Sequence, residues 1–338
     1  MLFESNVFNL IDWSVNGVEP RTGMYLRTLP VASLSGNYLQ GPDLDLSIRF
    51  NPFSNLDDGF GTGWELTLPR IDVSGSDKIL VLADGSRYRI LDESGDDIRL
   101  QYKRSNTFRV TKDPASPGGY IVIHKNGRRE TLSNNRTSLI TTPDLRTLSI
   151  AWRSDRTFTL TDDKQTTLLS TCWDGDAHCV TTPRGVFAFL LNKTNPSCPW
   201  LEKVSSRNGS ADGDLYLFSY TSANTSYLLI SHYSAMVDFY QSDIVAYEKL
   251  AAPPGMPGEV HAVKSIQQYV KTNHCLNEYL TTSYTRSISN YLGYPAVTRR
   301  AGKMDNLESL PYSFTFRSIE SIGTSKTIQR RYDKFYLL

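Results

Sequence analysis

The sequence has no apolar run approaching the length that crosses a bilayer as a helix. Met1–Asn6 also lacks the basic region and long apolar stretch of a leader. The expectation is a chain with no membrane span and no cleaved signal peptide. If it leaves the cell, something other than a simple signal peptide exports it. Neither sign of charge is in excess: 36 Lys and Arg against 35 Asp and Glu leave +1. Such a balance gathers neither nucleic acid nor an anionic membrane, so neither is expected as a partner. Cysteine is scarce. Cys172, Cys179, Cys198 and Cys275 are too few to frame a chain of 338 residues with disulfides, and they are expected to be reduced and partly buried.

Catalytic signatures are missing as well. Neither Gly-x-Ser-x-Gly nor His-Glu-x-x-His occurs, and the five histidines stand apart from any such motif. Ser321–Lys326 lacks the Gly-Lys-Ser/Thr order of a phosphate loop. Gly59-Phe60-Gly61-Thr62-Gly63-Trp64 has no third glycine at dinucleotide spacing and no following helix, so it reads as a glycine-built turn seating a core tryptophan. Cys172, Asp174, Asp176, His178 and Cys179 gather potential metal ligands. Six residues separate the two thiols, however, and the stretch reads better as a polar turn with Asp174-Gly175 at its apex. Asp57-Asp58-Gly59 and Asp212-Gly213-Asp214 hold too few oxygens for a calcium loop. The expectation is no cofactor, no metal and no enzymatic activity, with a hydrolase acting through unassigned carboxylates as an alternative.

What is present is a turn-rich, aromatic chain: Gly 22, Pro 16, Tyr 19 and Trp 5. Leu44 to Phe50 alternates apolar and polar residues, as a half-buried strand does. Asp84-Gly85 and Asn126-Gly127 each separate two strand-like runs and predict tight two-residue hairpins. Leu145–Trp152 and Arg156–Thr161 read as strands joined by Arg153-Ser154-Asp155. Val186–Leu191 and Leu215–Tyr220 read as strands buried on both faces. Val260–Val270 fits either a helical face or a strand. Further strand signals fall at Tyr279–Arg286, Tyr312–Phe316 and Thr327–Tyr332, and no segment carries a convincing capped helix. The fold class is therefore all-β, with many antiparallel hairpins in a large twisted or rolled sheet; a β-sandwich or a β-propeller is the alternative. The expected organisation is a β-rich region over 1–250, a Pro/Gly-rich loop over 251–258 and further strands over 259–338, unless the whole is one continuous unit.

One series of turn motifs organises the N-terminal part. Gly17, Pro20 and Gly23 come first, then Gly36-Asn37, Gly41-Pro42 and Asn51-Pro52, and Gly59, Gly61, Gly63 and Trp64 close it. In this order the series resembles the start of the Rhs/YD-repeat region of bacterial Rhs proteins and of the C components of insecticidal toxin complexes. Tyr120–Glu130, Thr281–Thr285, Asn290–Tyr294 and Ile328–Leu338 resemble later segments of the same family, so the likeness spans nearly the whole chain and thins between Ala151 and Pro257. The resemblance implies a spiral of β-hairpins forming a hollow shell around a C-terminal toxin. It implies a structural module whose partners are the remainder of the shell or other toxin-complex components, and it supplies no catalytic residue in the matched region. It also implies that the chain is an N-terminal fragment or a truncated relative. The tryptophans support an alternative, a module binding cell-surface carbohydrate through exposed aromatic faces.

Overall fold

Alternating apolar residues make strands, and strands joined by short turns pair with their sequence neighbours. The computed structural model follows this rule almost throughout, with 61% strand against 2% helix. It describes residues 17, 24–52, 54, 56–101, 103, 107–207, 213–223, 226–236, 239–251, 259–272, 275–283, 312–320 and 325–332. The strands pair antiparallel as successive hairpins. The chain divides into two compact units, one chiefly Thr28–Leu201 and the other chiefly the residues from Asp214 onward.

In the first unit, Arg27–Ser35, Asp43–Phe50 and Trp64–Leu66 make a three-stranded sheet. Leu44, Leu46, Ile48 and Phe50 are all buried on one face, as the alternation requires. From Arg70–Ser74 to Gly185–Asn192 the strands run as a meander, antiparallel to their neighbours. One further pairing, Arg136 with Arg70, sets Arg136–Thr141 beside Arg70–Ser74. These strands enclose a cluster that includes Leu80, Tyr88, Phe108, Val122 and Leu132.

The second unit is itself a meander of Gly213–Ala223, Ser226–Met236, Phe239–Ala251, Glu259–Thr272, Cys275–Ser283, Tyr312–Glu320 and Ser325–Tyr332. The ambiguous 260–270 stretch lies within the strand Glu259–Thr272, where β-branched content outweighs the helical spacing. Leu215–Tyr220 is not buried on both faces: Phe218 is buried while Leu217 is 39% exposed, because one face of the antiparallel strand is open. Residues 252–258 and the segment Asn290–Tyr294 lie outside the described residues.

The hairpin ends correct the expected turns. At Asp84-Gly85 the loop has three residues, closed by bonds from the amides of Leu82 and Gly85 to the carbonyls of Ser86 and Leu82. Lys125-Asn126-Gly127 closes the same way between His124 and Arg128. Only Gly85 and Gly127 have positive φ, at 88° and 84°. A two-residue turn of the mirror-image type I class would need positive φ at both central positions; a type I turn followed by one left-handed residue needs a single one. The same loop recurs at Pro143–Leu145, Ser154–Arg156 and Asp163–Gln165, with Leu145, Arg156 and Gln165 left-handed at φ 65°, 70° and 62°. Asn134-Asn135, at φ 51° and 66°, makes the two-residue turn that the sequence reading missed.

Leu145 is 73% exposed, so its left-handed backbone carries strain that no burial offsets. Leu145→Gly is expected to stabilise the protein by about 0.5–1 kcal/mol, the relief of strain outweighing the added freedom of the unfolded chain. The check is a higher urea midpoint with an unchanged m-value.

Candidate functional site

The glycine-rich segment 56–64 is fastened from several sides. Asp57 lies at its start, and its Oδ1 accepts hydrogen bonds from the amides of Gly59 at 2.8 Å and Gly61 at 3.0 Å. Its Oδ2 meets Nη1 of Arg156 at 2.6 Å. Gly59, Gly61 and Gly63 have φ of 99°, 94° and 86°, so a side chain at any of them would be strained. Space forbids one too. A Cβ on Gly59 would lie 2.6 Å from the His178 ring, and one on Gly61 would lie 2.7 Å from the backbone nitrogen of Leu201. The Thr62 amide donates to the Pro199 carbonyl at 2.7 Å. The amides of Gly63 and Asn51 donate to the carbonyls of Leu56 and Gly63. Trp64 follows, fully buried with its ring 5.4 Å from Phe50.

Beneath the loop lies an ionic interior. Asp58 is buried, its Oδ1 3.1 Å from Arg136 and its Oδ2 accepting the Leu66 amide at 3.0 Å. Burial raises its pKa, with Arg136 and Arg70 opposing. Arg70 bonds Glu65 at 3.0 Å and Asp72 at 2.8 Å, and Asp72 also holds Arg87 at 2.7 Å. Burial lowers the pKa of Arg49, whereas the carboxylates around Arg70 raise its pKa despite burial.

His178 packs between Phe60 at 4.8 Å and Trp173 at 4.7 Å, the latter nearly parallel. It has no solvent exposure. Desolvation lowers its pKa to about 4, against weaker opposing contributions from the Gly59 backbone and from Asp57 and Asp155. The histidine is therefore a neutral packing group at ordinary pH.

The turn residues named from the sequence fall in separate places. Gly36 and Asn37 sit beside Asp162: the Asn37 amide donates to the Asp162 carboxylate at 2.8 Å, and its side chain donates to the Gly41 carbonyl at 2.8 Å. Gly41-Pro42 follows, joined by a cis peptide. Asn37, Tyr38 and Leu39 form a left-handed turn with φ of 55°, 56° and 67°. Asn51 and Pro52 are buried near Gly63. Gly17 belongs to the second unit, where its carbonyl accepts the Leu26 amide at 2.7 Å and neighbouring Tyr25 donates its hydroxyl to buried Asp243 at 3.1 Å. Pro20 and Gly23, with Trp13 and Asp212, lie outside the described residues.

Two stretches considered apart in the sequence, Asp57–Gly59 and Cys172–Cys179, prove to be one site, because His178 lies under Gly59. The sequence reading passed over Asp57 as an amide acceptor, Asp58, Arg136 and Arg156. A local signal existed for Asp57, since Asp two residues before Gly is the pattern of a side chain capping its own turn. None existed for the arginines. The Asp174-Gly175 hairpin is present, its strands Thr167–Asp174 and Ala177–Thr182 joined through Gly175-Asp176. Among the described residues no group of three or more His, Cys, Asp and Glu is placed to hold a metal ion. No helix among them is long and apolar enough to cross a membrane.

Trp152 and Trp173 are engaged within the protein. Trp152 lies between the Arg136 guanidinium, 4.5 Å from the ring, and Phe158 at 4.7 Å, and donates its indole N–H to the Thr137 carbonyl. Trp173 stacks on His178, has the Lys193 ammonium 4.9 Å over its ring and donates to the Asp155 carbonyl. Buried carboxylates are engaged too: Asp58 and Glu65 face guanidinium groups, whereas Asp162 accepts backbone amides and Asp243 the Tyr25 hydroxyl. The arrangement can do what a keystone does: fix a loop and the strands around it.

No protein-family model matches the chain, and no curated protein matches it. Among solved structures it is similar to a porin-like protein from Bacteroides uniformis. The match is 9% identical and covers 78% of this chain and 93% of that one at a TM-score of 0.28, too slight to argue from.

Gly61→Ala is expected to cost about 1–3 kcal/mol more than Gly75→Ala. Both glycines have positive φ, but at Gly75 nothing stands within 4 Å of an added Cβ, whereas at Gly61 the obstacle is backbone. Chemical denaturation of the two variants checks this. The His178 pKa of about 4 lies below the ordinary 6.5, so the unfolded chain takes up the proton first as pH falls. The histidine's contribution is complete above about pH 6.5 and is lost through pH 4, amounting to about 3 kcal/mol. Asp58 shifts the other way and gains stability on protonation, so wild type should be compared with His178→Phe. The variant is expected to lack this acid-side loss, read as unfolding free energy against pH.

Proposed function

We propose that this chain is a structural module of an Rhs/YD-repeat shell, contributing its opening hairpins to a sheet that encapsulates or delivers a C-terminal toxin. It acts by shape and assembly, with no catalytic step of its own. The observation that carries the reading is the serial meander, in which successive strands hydrogen-bond to one another and five of the described loops share one three-residue form. A sheet built this way extends by adding hairpins, which is what a spiral shell needs. The residues of the family-like series Gly59–Trp64 fit the same reading, since they form a rigid turn under which the sheet packs. The partners in this reading are the remaining repeats of the shell or other toxin-complex components, and the place of action is outside the producing cell.

The test takes the whole product of the gene that encodes this chain. The expected result is that further Tyr-Asp-type repeats follow Leu338 and that the C-terminal segment, even when cleaved, co-purifies with the β region and resists added protease. An open reading frame ending at Leu338, or a C-terminal segment digested as readily as a free peptide, would overturn the reading.

A further inference from the structure

In the hairpin Thr167–Asp174/Ala177–Thr182, Cys172 and Cys179 are directly opposed, with Thr171↔Val180 and Trp173↔His178 on either side. Residues directly opposite in an antiparallel pair have Cα atoms about 4.5–5.5 Å apart and side chains on the same face. Disulfides require Cα separations of about 4.4–6.8 Å, so the backbone admits a bond without moving. The surroundings of the two thiols differ in the way a reactive pair needs: Cys172 is exposed, whereas Cys179 is buried in a cluster with Ala177 and Ala188. Beside the buried thiol stands Arg207, its Nη1 3.6 Å from Sγ of Cys179 and 2.5 Å from Asp174. Burial raises the Cys179 pKa and the guanidinium works against it. Cys198 is in neither strand of this hairpin.

We propose that Cys172 and Cys179 are a redox site, a cross-strand dithiol that closes to a disulfide when the protein meets a low-molecular-weight disulfide. The Cys172 thiolate attacks one sulfur of the reagent, breaking its S–S bond and releasing one thiol. Cys179, its thiolate stabilised by Arg207, then attacks Sγ of Cys172 in the mixed disulfide and releases the second thiol. Two electrons pass to the reagent, and the protons of the two cysteines end on the thiols released. The bond ties together the two strands whose opposite face carries Trp173 and His178, so it fastens the hairpin under the Gly59 loop. The pair would stay open in a reducing cytosol and close in an oxidising compartment. The inference does not depend on the shell reading.

The experiment treats the purified, folded chain with oxidised glutathione, followed by peptide mapping and counting of free thiols with a maleimide. The expected outcome is loss of two of the four thiols, a crosslinked peptide joining 172 to 179, and full reversal by dithiothreitol. Cys172→Ser, at an exposed position, is expected to fold normally and form no crosslink, whereas Cys198→Ser behaves as wild type. A glutathione adduct persisting on Cys172 while Cys179 stays reduced would overturn the proposal. So would a crosslink to another cysteine, or four thiols still free after incubation.

Discussion

The fold of the first unit depends on one carboxylate holding one loop. Asp57 takes two backbone amides with one oxygen and Arg156 with the other, so the 59–61 backbone enters the interior without orphaned donors. Leaving such donors bare would cost about 1–3 kcal/mol each, enough to expel the loop. Only with the loop seated can Gly61 lie against the Leu201 backbone, Gly59 against His178 and Trp64 against Phe50. The glycines are required twice over, for their left-handed backbone and for contacts that leave no room for Cβ.

A second constraint is that Arg70 and Arg136 are directly opposed, an arrangement that repels unless anions are interposed. Asp58, Glu65 and Asp72 are those anions. Replacing a buried ionic set wholesale with apolar residues is often neutral, but removing one member costs about 3–5 kcal/mol. The network therefore specifies the meeting of Arg136–Thr141 with Arg70–Ser74 more than it stabilises the fold. A strand slipped by one residue would turn the guanidinium away from its carboxylate.

Local features were readable in the sequence because their causes are local. Alternation exposed Leu44–Phe50 as a strand, and the order of glycines before Trp64 announced a turn with a buried indole. Loop length was misjudged at Asp84-Gly85 and Asn126-Gly127, since the dipeptide reports a left-handed residue without saying whether one or two are needed. Leu145, Arg156 and Gln165 gave no sign at all: their backbone is set by hairpin register, and the side chains oppose it. The site partners were hidden for another reason. Arg156 is 99 residues from Asp57, and Asp243 is 218 from Tyr25, distances across which one sequence carries no pairing signal.

This division between local and distant causes also explains where the chain can tolerate change. Strands that pair with sequence neighbours close small loops at low entropic cost, so the meander assembles hairpin by hairpin and asks little of any one residue. Such a sheet is weakly specified in register wherever its faces are polar. The few long-range fasteners, Asp57 with Arg156, Gly61 with Leu201, Asn37 with Asp162 and Tyr25 with Asp243, remove that freedom. They coincide with the turn series or sit next to it. Several of the turn residues named from the sequence thus help convert a repetitive sheet into a single arrangement.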